Sequence, residues 1–183
     1  MNEKGETVTM ERQYSNKLVL IGFMGTGKST VSKLLSEQLG WKRVDGDEEI
    51  ERLEKKLISE IFASDGEAGF RLIETKVLDM ILSDEEPAVV ATGGGAVLSE
   101  TNRQLMLSKG FVVALKASPE QILARVNADT ARPLLQGNAE ERVNALLEQR
   151  KNVYDFAHLT VDTTAMTASE VVSSIMKQWN TKQ

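Results

Sequence analysis

Gly22-Phe23-Met24-Gly25-Thr26-Gly27-Lys28-Ser29 sets glycines, a lysine and a hydroxyl at the spacing G-x-x-x-x-G-K-[ST]. At that spacing the glycines let the backbone curl until successive N–H groups converge on phosphate oxygens. A helix starting there adds its free N–H groups and the positive end of its dipole. Lys28 is placed to reach the β- and γ-phosphates, and the Ser29 hydroxyl to sit on Mg²⁺. The apolar run Leu18-Val19-Leu20-Ile21 precedes the loop and a helical pattern follows it, which is the context such a loop requires. The chemistry implied is binding of a nucleoside triphosphate with Mg²⁺, through Gly25, Thr26, Gly27, Lys28, Ser29 and Thr30. A Gly-rich strand-to-helix turn with no ligand is the weaker alternative.

Four further groups could add chemistry. Asp45-Gly46-Asp47 offers two carboxylates to Mg²⁺ and a substrate hydroxyl, or else a turn in which Asp caps a helix over residues 48–55. Arg71 stands beside Phe70 with Glu74 one turn on, and a solvated ion pair is the bland reading. Gly93-Gly94-Gly95 follows an apolar strand; three glycines cost backbone entropy, which suggests close approach by a ligand or another backbone. Arg132-Pro133-Leu134-Leu135 lies in a polar stretch expected to be mobile, and Arg150 is expected on the helix after it.

The elements that position these groups alternate between strand and helix. Short apolar runs at 17–21, 43–45, 88–91, 111–115 and 159–161 are predicted strands. Val31, Leu34, Leu35 and Leu39 recur at helical spacing and stop at Gly40. Ile50, Leu53 and Leu57 space out a second helix, 58–63 a short third, and 65–82 a longer one facing inward through Phe70, Ile73, Val77, Met80 and Ile81. Thr167-x-x-Glu170 is a capping box ahead of Val171, Val172, Ile175, Met176 and Trp179. Continuous apolar strands separated by helices imply a doubly wound parallel α/β sheet, with its ligand at the carboxyl ends of the strands.

Bulk properties exclude several classes. The chain has 183 residues, a formal net charge of −5 and no Lys/Arg-rich run, so nothing suggests nucleic-acid binding. With no cysteine, thiolate catalysis, Cys-ligated zinc and disulfide frameworks are excluded. The single histidine, His158, reads as structural at a strand entry. No apolar run approaches membrane-spanning length, residues 1–16 lack a signal-peptide core, and a cytoplasmic location is expected. Residues 1–16 are expected as a mobile tail and 17–183 as one domain.

Taken in order, these motifs resemble the shikimate kinases, relatives of the nucleoside monophosphate kinases. The resemblance runs from Leu18 to Trp179 and rests on the 22–30 loop, Asp45-x-Asp47-x-x-Ile50-Glu51, Ile61-Phe62-Ala63, Gly66-Glu67-x-x-Phe70-Arg71-x-x-Glu74, Thr92-Gly93-Gly94-Gly95-Ala96-Val97 and Arg132-Pro133-Leu134-Leu135. It implies a five-stranded sheet in the order 2-3-1-4-5 with a lid near residues 128–138. It also implies transfer of the ATP γ-phosphate to the 3-hydroxyl of shikimate, in aromatic amino-acid biosynthesis. By the same carry-over Asp47 binds shikimate hydroxyls and is the candidate base. Arg71 and Arg150 clamp the carboxylate, Gly93, Gly94 and Gly95 line the substrate, and Arg132 reaches the phosphates. Asp45 is expected near Mg²⁺, through water.

The chain departs from the family at Gly46, where Ser or Thr is usual, and after Arg150, where Lys151-Asn152-Val153-Tyr154 lacks a common proline. A kinase of another small hydroxy acid, such as gluconate, is the alternative enzyme, and a non-catalytic nucleotide-binding module the alternative class. A monomer with ATP and shikimate as its only partners is expected.

Overall fold

Leu18, Val19, Leu20 and Ile21 are fully buried in the computed structural model, because their strand, β1 (Lys17–Gly22), is the middle one of five. The structure describes residues 16–127 and 139–181. The other strands are β2 (Lys42–Asp45), β3 (Ala88–Ala91), β4 (Phe111–Lys116) and β5 (Leu159–Asp162). They pair in the order β2-β3-β1-β4-β5, as expected, and every pairing is parallel. All five carboxyl ends therefore open on one edge.

Alternation of side chains along each strand splits the core into two layers. One row across the sheet reads Val44, Val90, Val19, Val112. It packs with Ile50, Ile61, Phe70, Val77 and Met106 from the helices α2 (Gly46–Glu54), α3 (Ile58–Ser83) and α4 (Glu100–Lys109). The adjacent row carries Val89, Leu18 and Phe111 and packs with Val31, Leu35, Val172, Ile175 and Trp179 of α1 (Lys28–Leu39) and α7 (Ala168–Asn180). Each fully buried Val or Leu contributes about 1.5–3 kcal/mol. A third, smaller cluster joins Phe23 of the loop to Ile122, Val126 and Val143 of α5 (Pro119–Asn127) and α6 (Ala139–Gln149).

Several local expectations hold. Gly40 ends α1 in the left-handed conformation. The Thr167 hydroxyl accepts the Glu170 N–H while the Glu170 carboxylate takes the Thr167 N–H, so the capping box forms. His158 is structural: its Nδ1 accepts the Val112 N–H at 2.9 Å and its ring stacks on Phe111.

Others are corrected. The break expected between helices at 58–63 and 65–82 is present but lies at Gly66: α3 is two helical runs joined across a kink there, with a φ of 70° and a ψ of −177° that only glycine takes readily. Leu57 is not on α2, which stops when Lys55 turns left-handed (φ 54°); it precedes α3 and is exposed. Met80 faces solvent, and Leu78 and Leu82 fill the inner face instead. Asn16, assigned to the tail, is tied to the sheet through its carbonyl, which accepts the Ala88 N–H at 2.9 Å. Residues 1–15 and the lid residues 128–138 lie outside the described residues.

Candidate active site

The 22–29 loop leaves β1 with its backbone in conformations only glycine favours. Gly25 has φ 76°, and a β-carbon there would also press on Val126 Cγ2 at 3.0 Å. Lys28 lies back over the loop, donating to the carbonyls of Gly22 (2.8 Å) and Phe23 (3.0 Å). The buried Thr26 hydroxyl donates to Phe23 O at 2.7 Å, so that side chain braces the loop from within. Ser29 and Thr30 open α1 at the cavity wall.

That cavity holds about 530 Å³. Lys28, Ser29, Asp45, Asp47, Gly93 and Gly94 share its lining, so the ends of β1, β2 and β3 converge as the topology requires. Asp45 is the N-cap of α2: its Oδ1 accepts the N–H groups of Asp47 (3.1 Å) and Glu48 (3.5 Å), and its Oδ2 takes Arg43 at 3.2 Å. The capping alternative therefore holds for Asp45, although it still faces the cavity. The helix is longer at its start than expected, beginning at Gly46, so Asp47 sits in the first turn.

The glycine triplet is a place of close approach, as the residues suggested, and what approaches it here is two side chains as well as the loop backbone. A β-carbon on Gly93 would stand 2.5 Å from Asp47 Oδ1, and one on Gly95 would stand 2.5 Å from Arg71 Nη2. Gly94 faces the loop backbone at Gly22 O and Met24 N, both 3.8 Å from its would-be β-carbon. Its carbonyl accepts Arg150 Nη1 at 3.2 Å. Arg150 lies over the Phe23 ring at 5.7 Å and follows the last residue of α6; it is in the turn after that helix, not on it.

Arg71 is more than a solvated ion pair. It holds the buried Glu74 at 2.8 Å and the exposed Glu67 at 3.4 Å, and stands 5.2 Å from the Phe70 centroid. Burial pushes the Glu74 carboxyl above its usual range; Arg71 pulls it down, and the charge on Asp47 adds to the rise. Arg132 lies outside the described residues.

Two contributors were missed. Arg125 on α5 donates Nη1 to Gly25 O and Thr163 Oγ1, both at 3.1 Å, and Nη2 to Thr163 O at 2.9 Å. The Thr163 hydroxyl in turn donates toward Thr26 O at 3.2 Å. Together they lace the phosphate loop to the end of β5 and line a second hollow of about 240 Å³ beside Gly27 and Thr30.

Ser29 and Asp45 present the oxygen ligands that suit Mg²⁺. Because both Asp45 oxygens already accept hydrogen bonds, contact through water suits that carboxylate better than direct ligation. Among the described residues no cluster of three or more His, Cys, Asp or Glu is poised to hold a metal by itself. None of the described helices is long and apolar enough to cross a membrane.

A parallel 2-3-1-4-5 sheet, a phosphate-binding loop after β1, and carboxylate and arginine groups gathered on the same rim define a P-loop kinase fold. The shikimate kinase family model matches residues 24–180. A shikimate kinase of Thermodesulfovibrio yellowstonii is 43% identical over 163 residues, covering 88% of this chain and 94% of that protein. The solved shikimate kinase of Acinetobacter baumannii in complex with shikimate superposes with a TM-score of 0.83 at 38% identity, covering 91% and 94% of the two chains. A gluconokinase from Sinorhizobium meliloti, at 20% identity and a TM-score of 0.63, shares the fold alone. The chain belongs to the shikimate kinase family and is an ATP-dependent kinase.

Proposed function

We propose that the chain transfers the γ-phosphoryl group of ATP to the 3-hydroxyl of shikimate, giving shikimate 3-phosphate and ADP, a step of aromatic amino-acid biosynthesis. The observation that carries this reading is the glycine triplet, which seats Asp47 and Arg71 one residue apart beside the phosphate loop. A hydroxylated carboxylate needs both a group for its hydroxyl and a fork for its carboxylate. The family relationship at over 40% identity supplies the particular acid.

In this scheme the loop N–H groups and the α1 terminus hold the phosphates, and Lys28 turns from the Gly22 and Phe23 carbonyls onto the β- and γ-oxygens. Ser29, and Asp45 through water, would hold Mg²⁺, which would supply positive charge against the phosphates. Asp47 orients the attacking hydroxyl and accepts its proton. Arg71 and Arg150 take the carboxylate from two sides of the glycine turn. Arg132 adds charge at the phosphates. Phosphoryl transfer asks little covalent chemistry of the protein, so positioning and charge stabilisation supply most of the rate. The enzyme acts as a cytoplasmic monomer on two small molecules.

Calorimetric titration of shikimate into the protein with ADP and Mg²⁺ tests the substrate assignment. Saturable binding that Arg71→Ala weakens by at least about tenfold, a loss of roughly 1.4 kcal/mol, is the expected result. Equal or tighter binding of gluconate would move the assignment to a different hydroxy acid.

A further inference from the structure

Tyr154 stands four residues beyond Arg150, in the turns that lead to β5. Its ring is 6% exposed and lies in the same apolar cluster as Ile21, Phe70 and Val97. Its Oη is the buried side-chain polar atom without a hydrogen-bond partner among the described residues. A buried hydroxyl left unpaired is costly, and phenylalanine would fill the same space without that penalty. The hydroxyl therefore asks for a partner that it gains in another state of the site.

Arg150 is the charged group within reach of this phenol: its charge and a hydrogen-bonding interaction with the hydroxyl both act on it, although the pair stops short of a bond that satisfies the oxygen. Burial pushes the Tyr154 hydroxyl upward and Arg150 pulls it back, so it titrates above its usual value and stays protonated at neutral pH, able to accept through its lone pairs. The guanidinium has five N–H donors in a fixed fork. One is spent on Gly94 O, and the Phe23 ring supports its plane. A carboxylate arriving beside Gly94 engages one edge of the fork, which leaves an N–H free to turn onto the Tyr154 oxygen.

We infer that Tyr154 is a positioning residue for the substrate carboxylate: its hydroxyl accepts an N–H of Arg150 in the occupied site and fixes the guanidinium toward the substrate. This rests on the reading of Arg150 as a carboxylate clamp.

Steady-state kinetics and thermal melting of Tyr154→Phe, beside Arg150→Ala, test it. Tyr154→Phe is expected to raise the KM for shikimate about fivefold, equivalent to roughly 1 kcal/mol. The kcat and the KM for ATP should stay within about twofold, with a Tm equal to or above that of the parent. An unchanged shikimate KM, with or without a gain in Tm, would make the hydroxyl purely structural and overturn the proposal. If Arg150→Ala raises the shikimate KM and Tyr154→Phe does not, only the role of Tyr154 fails. If Arg150→Ala leaves it unchanged, the clamp reading itself fails and this inference falls with it.

Discussion

Asp47, in the first turn of α2, faces Gly93, just past β3, and the space where Gly93 lacks a side chain is filled by the Asp47 carboxylate, 2.5 Å from where a β-carbon would sit. The colliding atom is the end of a short side chain, so Gly93→Ala can be accommodated without unfolding, but only by moving that carboxylate. Displacement of a reacting group by about an ångström costs on the order of 10²-fold. Gly93→Ala is therefore expected to lower kcat by about that factor, with ATP affinity and Tm nearly unchanged. A variant with normal turnover would show that the position of Asp47 is not critical.

Arg125 ties the phosphate loop to β5 through Gly25 and Thr163. Replacing it with methionine keeps the apolar stem and removes three hydrogen bonds, at least one to a loop carbonyl. Nucleotide affinity should fall about tenfold or more, given about 1 kcal/mol or more per charge-assisted bond. The KM for shikimate should hold. Fluorescent-nucleotide titration reads the first quantity; unaltered affinity would reduce Arg125 to a bystander.

Glu74 is expected to make stability pH-dependent in an unusual direction. Burial, outweighing its Arg71 partner, raises its folded-state pKa above the unfolded 4.5. The folded chain then binds this proton more tightly than the unfolded chain does. Its contribution is present below the unfolded value and is lost as pH rises through the raised one. Glu74→Gln removes that loss, so the variant should gain stability relative to the parent as pH climbs from about 4.5 to 7. Urea unfolding at both pH values checks it, and a pH-independent difference would contradict the burial-driven shift.

Lys28→Met should leave the fold intact, since the lysine's bonds to the Gly22 and Phe23 carbonyls lie within its own loop. Turnover should drop by about 10²-fold or more, the scale of losing one charge-stabilising donor at the transition state. Circular dichroism and ADP release together read the split. Near-parental turnover would take the lysine out of the mechanism.

Much of this arrangement was legible in the residues themselves. The loop and the gathering of Asp47, Gly93 and Gly94 at one rim follow from apolar runs, glycine spacing and the parallel topology, while the strand order came from the family resemblance. What local pattern could not supply are long-range partners. Arg125 meets Gly25 across 100 positions and Thr163 across 38, and no periodicity announces either. Helix α4 buries only Asn102 and Met106, so its apolar stripe is too thin to read, although Ser99 does cap it. For α5 the signals were present: Pro119 opens the helix and Ile122 and Val126 lie one turn apart. The glycine triplet announced a close approach, but which groups approach depends on the β2 and α3 neighbours that only the fold brings in.

The most direct measurement is ADP release, coupled to mass analysis of the product, with ATP and Mg²⁺ and either shikimate or gluconate as acceptor. Shikimate-dependent ADP release matched mole for mole by shikimate 3-phosphate, with gluconate turned over far more slowly and Asp47→Asn nearly inactive, is the predicted result. Absence of shikimate-dependent release, or a faster reaction with gluconate, would contradict it.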